Sequence, residues 1–463
     1  MLTSRQLPSW NPRSYQIIGV ELMIKQACGG LLWKPGRGKT SAVYAAFRIL
    51  QEKGYVAKML VICPIRPAYR VWPHQCHDYA DFDGLRVGVL HGKDKEKVLA
   101  SDDYDIYVVN HEGLPWLLGQ QANAKRITAL CQMLVVDEST KFKDPSTQRF
   151  KLLKQWVPKF RRRYILTGSP RPKSLMDLFG QVYIMDEGAA LGRFITHYRT
   201  KFFYPSGFGG YDWTPAPGAQ GQIMELIAPL VHVIDTEEGL GLPELIFNDV
   251  WVDLPPDASK LYKSMEDELM AQVESGSVVA ANAAVASGKC RQIANGTLIH
   301  TKEQEYTEIH SCKLDALADL MEQLGGEPLL VTYEFVADQQ RIEERLKIPN
   351  ISSGNARKDD FLIQQFSAGL LPAVQGHPQS ISLGIDGLQK NCADIAMFGV
   401  NWSLLNYEQV IQRVRRSGNK KSAVTVHRIL ARGTVDEQVI RVLDARERSQ
   451  DSFMAMLRQM SER

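Results

Sequence analysis

Short runs that are apolar throughout recur along the first 187 residues, separated by stretches in which apolar positions return every three or four residues. The runs MLVICP (59–64), IYVVN (106–110), MLVVDE (133–138) and RYILTG (163–168) are β-branched or leucine-rich, and each gives way to polar or glycine-containing sequence. A strand buried on both faces has no polar side to alternate with. The pattern therefore predicts a parallel sheet covered by helices, with functional loops at the C-terminal strand ends.

From about 188 to 312 the pattern changes: FFYPSGFGGYDWTPAPG is aromatic and rich in glycine and proline, while 257–295 is helical in composition with an alanine-rich middle. A second α/β pattern starts near Lys313, with PLLVTYEF (328–335), ADIAMFGV (393–400) and AVTVHRIL (423–430) as strands, and a charged amphipathic helix follows from about Thr434. The expected organisation is α/β throughout: an N-terminal lobe over 1–187, a helical and irregular insertion over 188–312, a second lobe over 313–445 and a C-terminal helix or tail over 446–463. No repeat at solenoid spacing is present.

A chain of 463 residues, 44% hydrophobic, exceeds what one core usually serves and agrees with two or three domains. No stretch is apolar for long enough to cross a bilayer and the start lacks a secretory signal pattern, so no membrane partner and a cytoplasmic location are expected. The seven cysteines are scattered without a C-x-x-C pair, and His74, Cys76 and His77 have no second cluster of matching spacing, so neither a disulfide framework nor structural zinc is expected. With 55 Lys and Arg against 52 Asp and Glu, any surface for a polyanion has to be a local groove.

Three clusters carry chemistry. LLWKPGRGKT places Gly36, Gly38, Lys39 and Thr40 as in a phosphate-binding loop that opens a helix: glycines let backbone amides approach phosphate, the lysine reaches the β and γ groups, and the hydroxyl ligates Mg2+. Trp33 stands where the full pattern has its first glycine. In LVVDEST, Asp137 at a strand end suits the metal and Glu138 suits orienting and deprotonating a water. In EQVIQRVRRSG, Gln409, Arg413 and Arg416 return to roughly one helical face, where guanidinium groups can stabilise charge on a transferring phosphoryl group or simply form a solvated surface.

The ordered series PRSYQ, GRGKT, VVNHEGL, DEST, LTGSP, LLVTYEF, SLGIDGLQ and QRVRRSG resembles the motifs of superfamily-two helicases, specifically Swi/Snf-related DNA translocases, over nearly the whole chain. YILTGSPRPKSLMDLFGQVYIMD and the ending VDEQVIRVLDAR point to that branch; the compact length and the HPQS segment look like small phage and bacterial members. The resemblance implies two RecA-like lobes, ATP and Mg2+ as cofactors, and a motor on nucleic acid, foremost duplex or branched DNA. It implies that Gln16 recognises adenine, that Lys39, Thr40, Asp137 and Glu138 bind and hydrolyse ATP, and that Thr167, Gly168 and Ser169 couple nucleotide state to the lobes. In the second lobe it implies that Gly384 and Asp386 lie near the nucleotide and that Gln409, Arg413 and Arg416 complete the site, the two arginines as fingers. Ser139 and Thr140 depart from the family's alanine and histidine, and Gly387 is an extra residue in SLGIDGLQ.

Backbone contacts to nucleic acid are expected at strand-end loops: Arg66 and Arg70 in IRPAYRVW, and Asn110 and His111 in VVNHEGL. The RRR run at 161–163 reads as a solvated turn, and FFYPSGFGGYDW as either an aromatic protrusion or a loop with its own small core. A strand-separating DNA or RNA helicase on the same engine, or a nucleotide-gated scaffold without turnover, are the competing readings.

Overall fold

The computed structural model describes residues 7–461 apart from Ser169, 171–173, 207–211, 235–240, 275–279, 301–304, 383–384, Asp386, Asn401 and Ser417. Its strands are β1 (Cys28–Trp33), β2 (Met59–Cys63), β3 (Val87–Val89), β4 (Ile106–Asn110), β5 (Met133–Asp137), β6 (Arg162–Thr167), β7 (Phe203–Ser206), β8 (Asp212–Pro215), β9 (Val231–Ile234), β10 (Glu244–Val252), β11 (Thr297–Ile299), β12 (Tyr306–Glu308), β13 (Leu329–Thr332), β14 (Ala373–Gly376), β15 (Asp394–Met397) and β16 (Ala423–Ala431). Among the described residues, seven pair in the order β3-β4-β2-β5-β6-β1-β9 and five in the order β10-β16-β15-β13-β14, each sheet parallel throughout.

Alternate residues of one strand feed two different cores, which is why the strands read as unbroken apolar runs. In β2, Leu60 and Ile62 join one cluster while Met59, Val61 and Cys63 join the other; β5 divides the same way, Leu134 and Val136 against Met133 and Val135. The second sheet repeats this with Leu330 on one side and Leu329 and Val331 on the other. At about 1.5–3 kcal/mol for each large apolar side chain buried, these two-sided layers are the main source of stability.

The chain divides into two compact units, Met1–Thr236 with Arg448–Arg463, and Glu237–Glu447. The stretch 188–312 is thus shared out rather than standing apart: β9 is an edge of the first sheet and β10 an edge of the second. Both strands were hidden in a region whose composition drew the eye to its aromatics and glycines. Helices Pro256–Glu274 and Ala280–Asn295 occupy the alanine-rich part. The aromatic segment forms the antiparallel hairpin β7–β8, with Phe202 and Phe203 buried in the first unit's core and Tyr204 exposed; its turn lies outside the described residues. The last helix, Val435–Ser461, starts in the second unit, and its residues Phe453, Met454 and Leu457 are buried in the first unit's core. Among the described residues no helix is long and apolar enough to cross a membrane.

Of the RRR run only Arg161 is an exposed bend; the other two arginines belong to the strand. Arg162 lies in β6 and its Nη1 donates to the carbonyls of Met23 at 2.9 Å and Gln26 at 3.0 Å, capping the C-terminus of helix α1 (Ser14–Lys25). Arg163 donates Nε to Met185 O and Nη1 to Phe160 O, both at 2.8 Å. Helix ends leave carbonyls without intrahelical partners, and guanidinium groups satisfy them here.

The second unit carries a buried polar knot. Lys313, fully buried, pairs with Asp436 at 2.6 Å and donates to Asn295 Oδ1 at 2.8 Å; Asn295 Nδ2 donates to Asp338 Oδ2 at 2.8 Å. Burial pushes Asp338 up to about 6. The knot links the helices Ala280–Asn295, Cys312–Gln323, Val336–Leu346 and Val435–Ser461. Lys313→Met is expected to destabilise the second unit by about 3–5 kcal/mol, because it strands a buried carboxylate. The pair Lys313→Met and Asp436→Leu should recover much of that loss, and denaturant unfolding of the three proteins checks both.

Candidate active site

β1 ends at Trp33 and helix α2 (Lys39–Glu52) begins at Lys39, so Lys34–Gly38 form a loop at the C-terminal edge of the sheet. Gly38 holds φ 73°, the left-handed region, and a Cβ there would stand 2.2 Å from Gln16 Nε2. Gln16 lies against the loop: its Nε2 and the Tyr15 hydroxyl both donate to Arg37 O at 3.2 Å, while its Oε1 accepts from Arg13 N at 2.8 Å. Lys39 Nζ donates to Trp33 O at 2.7 Å, folding the lysine back over its own loop. Thr40 is half-buried in the first turn of α2, and Gly36 is exposed at φ 77°.

Trp33 explains how the loop does without its first glycine. The indole is fully buried, its Nε1 donates to His232 Nδ1 on β9 at 3.2 Å, and Tyr15 meets it edge-on at 5.4 Å between ring centres. Burial pushes His232 down to about 4, so the ring is neutral and offers a nitrogen lone pair. Lys34 pairs with Asp451 of the C-terminal segment at 3.0 Å.

Asp137 ends β5, two places along the sheet from β1. Its Oδ2 accepts from Trp72 Nε1 at 3.3 Å and its Oδ1 from Glu138 N at 3.1 Å. Burial first, and the neighbouring Glu138 carboxylate second, push Asp137 up to about 6, with Lys39 opposing. Trp72, buried and edge-on to Tyr44, is a site residue that sequence reasoning counted only as an aromatic near arginines. Glu138 sits at φ 53°, ψ 54°, a left-handed conformation uncommon for a side chain with Cβ.

β6 lies between β5 and β1 and ends at the fully buried Thr167. Gly168 backs the phosphate loop so closely that a Cβ would meet Pro35 Cδ at 2.8 Å and Lys34 Cα at 3.2 Å. Behind it, Ser139 Oγ donates to Gln181 Oε1 at 2.8 Å. Ser169, Gly384 and Asp386 lie outside the described residues. In the second unit, Gln409 is buried and Arg413 half-buried on helix Leu404–Val414; Arg416 just beyond is half-buried, with Nε donating to Gln412 O at 3.1 Å.

Two expected nucleic-acid residues are corrected. Asn110 and His111 are buried rather than displayed, Asn110 donating to Glu112 Oε2 at 3.0 Å and His111 packed 5.6 Å from the Phe142 ring. Burial, with Lys141 and Arg149 adding, pushes His111 down to about 3, leaving it uncharged and unsuited to a phosphate. Polar residues ending a strand looked like surface, but the helical turn that follows covers them. Arg70 is exposed and Arg66 half-buried on the short helix Ile65–Arg70.

The raised Asp137 gives a signed expectation. Its folded-state value near 6 exceeds the ordinary 3.8, so the folded chain gains stability from the proton at low pH and loses it as pH rises through about 6. Asp137→Asn should therefore melt higher than the unsubstituted chain at pH 7–8, by about 2–4 °C for each kcal/mol of burial cost relieved. The difference should vanish below about pH 4, and thermal melts across that range check it.

Comparison with known proteins agrees with this geometry. The SNF2-related domain model matches residues 15–297. Protein p41 of Acyrthosiphon pisum secondary endosymbiont phage 1 is 27% identical over 98% of this chain and 100% of its own length. An ATP-dependent helicase/translocase of Bacillus subtilis, YwqA, is 21% identical over 90% of this chain and 46% of its own, and an ATP-dependent helicase of Mycoplasma pneumoniae is 23% identical over 93% and 41%. The chain thus spans less than half the length of these two helicase-named relatives. The Sulfolobus solfataricus SWI2/SNF2 ATPase core, solved in complex with dsDNA, aligns with 100% of this chain and 97% of its own at 22% identity and a TM-score of 0.45. With the family match covering more than half its length and the phosphate loop and acidic pair on one parallel sheet, the chain belongs to the SNF2-related family of superfamily-two ATP hydrolases.

Proposed function

We propose that the chain is a DNA-dependent ATPase motor that couples hydrolysis to translocation on, or remodelling of, duplex or branched DNA, in the cytoplasm. The observation that carries this reading is the gathering of Lys39, Thr40, Asp137 and Glu138 at the C-terminal edge of one parallel sheet, with Asp137 and Lys39 near enough to act on each other's charge.

Lys39 exchanges the Trp33 carbonyl for phosphate oxygens, and α2 presents its first-turn amides to the same anion. A hydroxyl and a carboxylate are hard oxygen donors that fit Mg2+, so Thr40 and Asp137 would hold the ion. A cation also relieves the burial that raises Asp137. When bound, the ion neutralises charge developing on the phosphates. Glu138 orients and deprotonates the attacking water, and Gln16, held against the loop, recognises adenine. We assign Gln409, Arg413 and Arg416 the completing role, with the arginines stabilising transferring charge. Gly384, Asp386 and Ser169 keep the roles the family motifs give them. On the track, Arg70 and Arg66 contact backbone phosphate.

An ATPase titration with duplex, branched and single-stranded DNA and with RNA, at two salt concentrations, tests the reading. Strong stimulation by duplex or branched DNA that weakens with salt is expected. Stimulation by RNA alone reassigns the track to RNA, and nucleotide binding without turnover under every condition makes the chain a gated scaffold. Glu138→Gln should keep ATP binding and lower turnover about 10²–10⁴-fold; unchanged turnover moves the base elsewhere.

A further inference from the structure

The stretch after the acidic pair departs from the family pattern at Ser139, and a lone polar residue, Gln181, interrupts the apolar helix Leu178–Asp186. The two meet. Ser139 and Gln181 are essentially without solvent exposure, and Ser139 Oγ donates to Gln181 Oε1 at 2.8 Å. Gln181 Nε2 donates to two carbonyls, Pro170 O and Asp177 O, each at 2.7 Å. Those carbonyls fix the amide's orientation, since a flipped amide would set oxygen against oxygen twice. The helix reaches this position because residue 180 is glycine: a Cβ there would lie 2.1 Å from Phe142 O, in the turn Ser139–Phe142. A largely covered pair, Lys143 with the buried Asp177 at 3.6 Å, runs beside it.

We propose that Ser139 and Gln181 are positioning residues that tie the hydrolytic turn at Glu138 to the Thr167–Pro170 loop, so that the two move as one body. Glu138 occupies an unfavourable backbone region, and such a conformation persists only where its surroundings over-determine it. Ser139, the next residue, supplies the tether. Pro170 closes the other end, and Gly168, two residues before it, rests on the phosphate loop. Phosphate loop, Thr167–Pro170 loop and hydrolytic turn are thereby joined in a ring within the first unit, which alanine at position 139 leaves open. A shift of the phosphate loop on nucleotide binding reaches Glu138 through this ring.

This inference rests on the ATPase reading, and the experiment separates the two. Wild type, Ser139→Ala, and the double variant Ser139→Ala with Gln181→Met are compared by thermal melting, by affinity for a non-hydrolysable ATP analogue, and by kcat at saturating ATP and DNA. Ser139→Ala orphans a buried amide oxygen, and Gln181→Met removes that orphan but takes the amide donor from the carbonyls of Pro170 and Asp177. Both variants should therefore melt below wild type but bind the analogue as tightly, and keep a kcat about ten- to a hundredfold down from the misplaced base. A kcat that recovers together with stability in the double variant overturns the relay, as does wild-type kcat in Ser139→Ala. Wild-type turnover with an unaffected variant sinks the relay alone; a wild type that never hydrolyses ATP sinks both.

Discussion

The first unit depends on a phosphate loop that is held from behind by an indole. A loop of this kind must keep its amides facing outward while its own carbonyls are satisfied, and glycine usually meets that demand by yielding. Here Trp33 meets it by stiffness. Its ring is fixed by His232 on β9 and by Tyr15 on α1, and its carbonyl takes the Lys39 ammonium. The loop therefore draws three elements together, and β9 belongs to the first unit for that reason as much as for its backbone pairing with β1. Gly168 then fills the remaining face of the loop.

Both units bury charge, and they do so to different ends. In the second unit Lys313, Asp436, Asn295 and Asp338 join in one connected network. Such a knot fixes how four helices pack. In the first unit the neighbouring Glu138 carboxylate adds to the burial that raises Asp137, against hydrogen bonds from Trp72 and the Glu138 amide. Burial outweighs the opposing Lys39 charge and the two hydrogen bonds there, so the carboxyl stays raised. The contrast distinguishes a structural cluster from a chemical one even though each carries a carboxylate raised to about 6.

Legibility in the sequence followed the same physics. β2, β4, β5 and β6 were readable because two-sided burial leaves each with an unbroken run of at least three apolar or aromatic residues, and the strand spans agree to within a residue. That Lys39 opens a helix just after β1 and Asp137 ends β5 was readable, because a glycine-bearing loop and a polar pair each follow an apolar run. β9 and β10 were not, since VHVI is short and much of β10 is solvent-facing, so neither shows the continuous run of a central strand. Asn110 and His111 misled for the converse reason: polar type suggested surface, while a helical turn and the Phe142 ring bury both. Arg162 misled in the same direction, because a carbonyl cap and a solvated charge look alike until the helix end beneath them is known.

Residues that hold other residues are the hardest to read from a chain. Trp72 looked like one aromatic among arginines, and Gln181 like a stray polar residue in an apolar helix. Each has its meaning only through a partner 65 or 42 positions away, Asp137 in one case and Ser139 in the other. A buried glutamine with all its hydrogen-bonding capacity in use is costly to misplace, so it reports a required geometry more reliably than an exposed catalytic side chain does. The serine that breaks the family pattern after the acidic pair is therefore better understood as half of a pair than as a loss of the alanine it replaces.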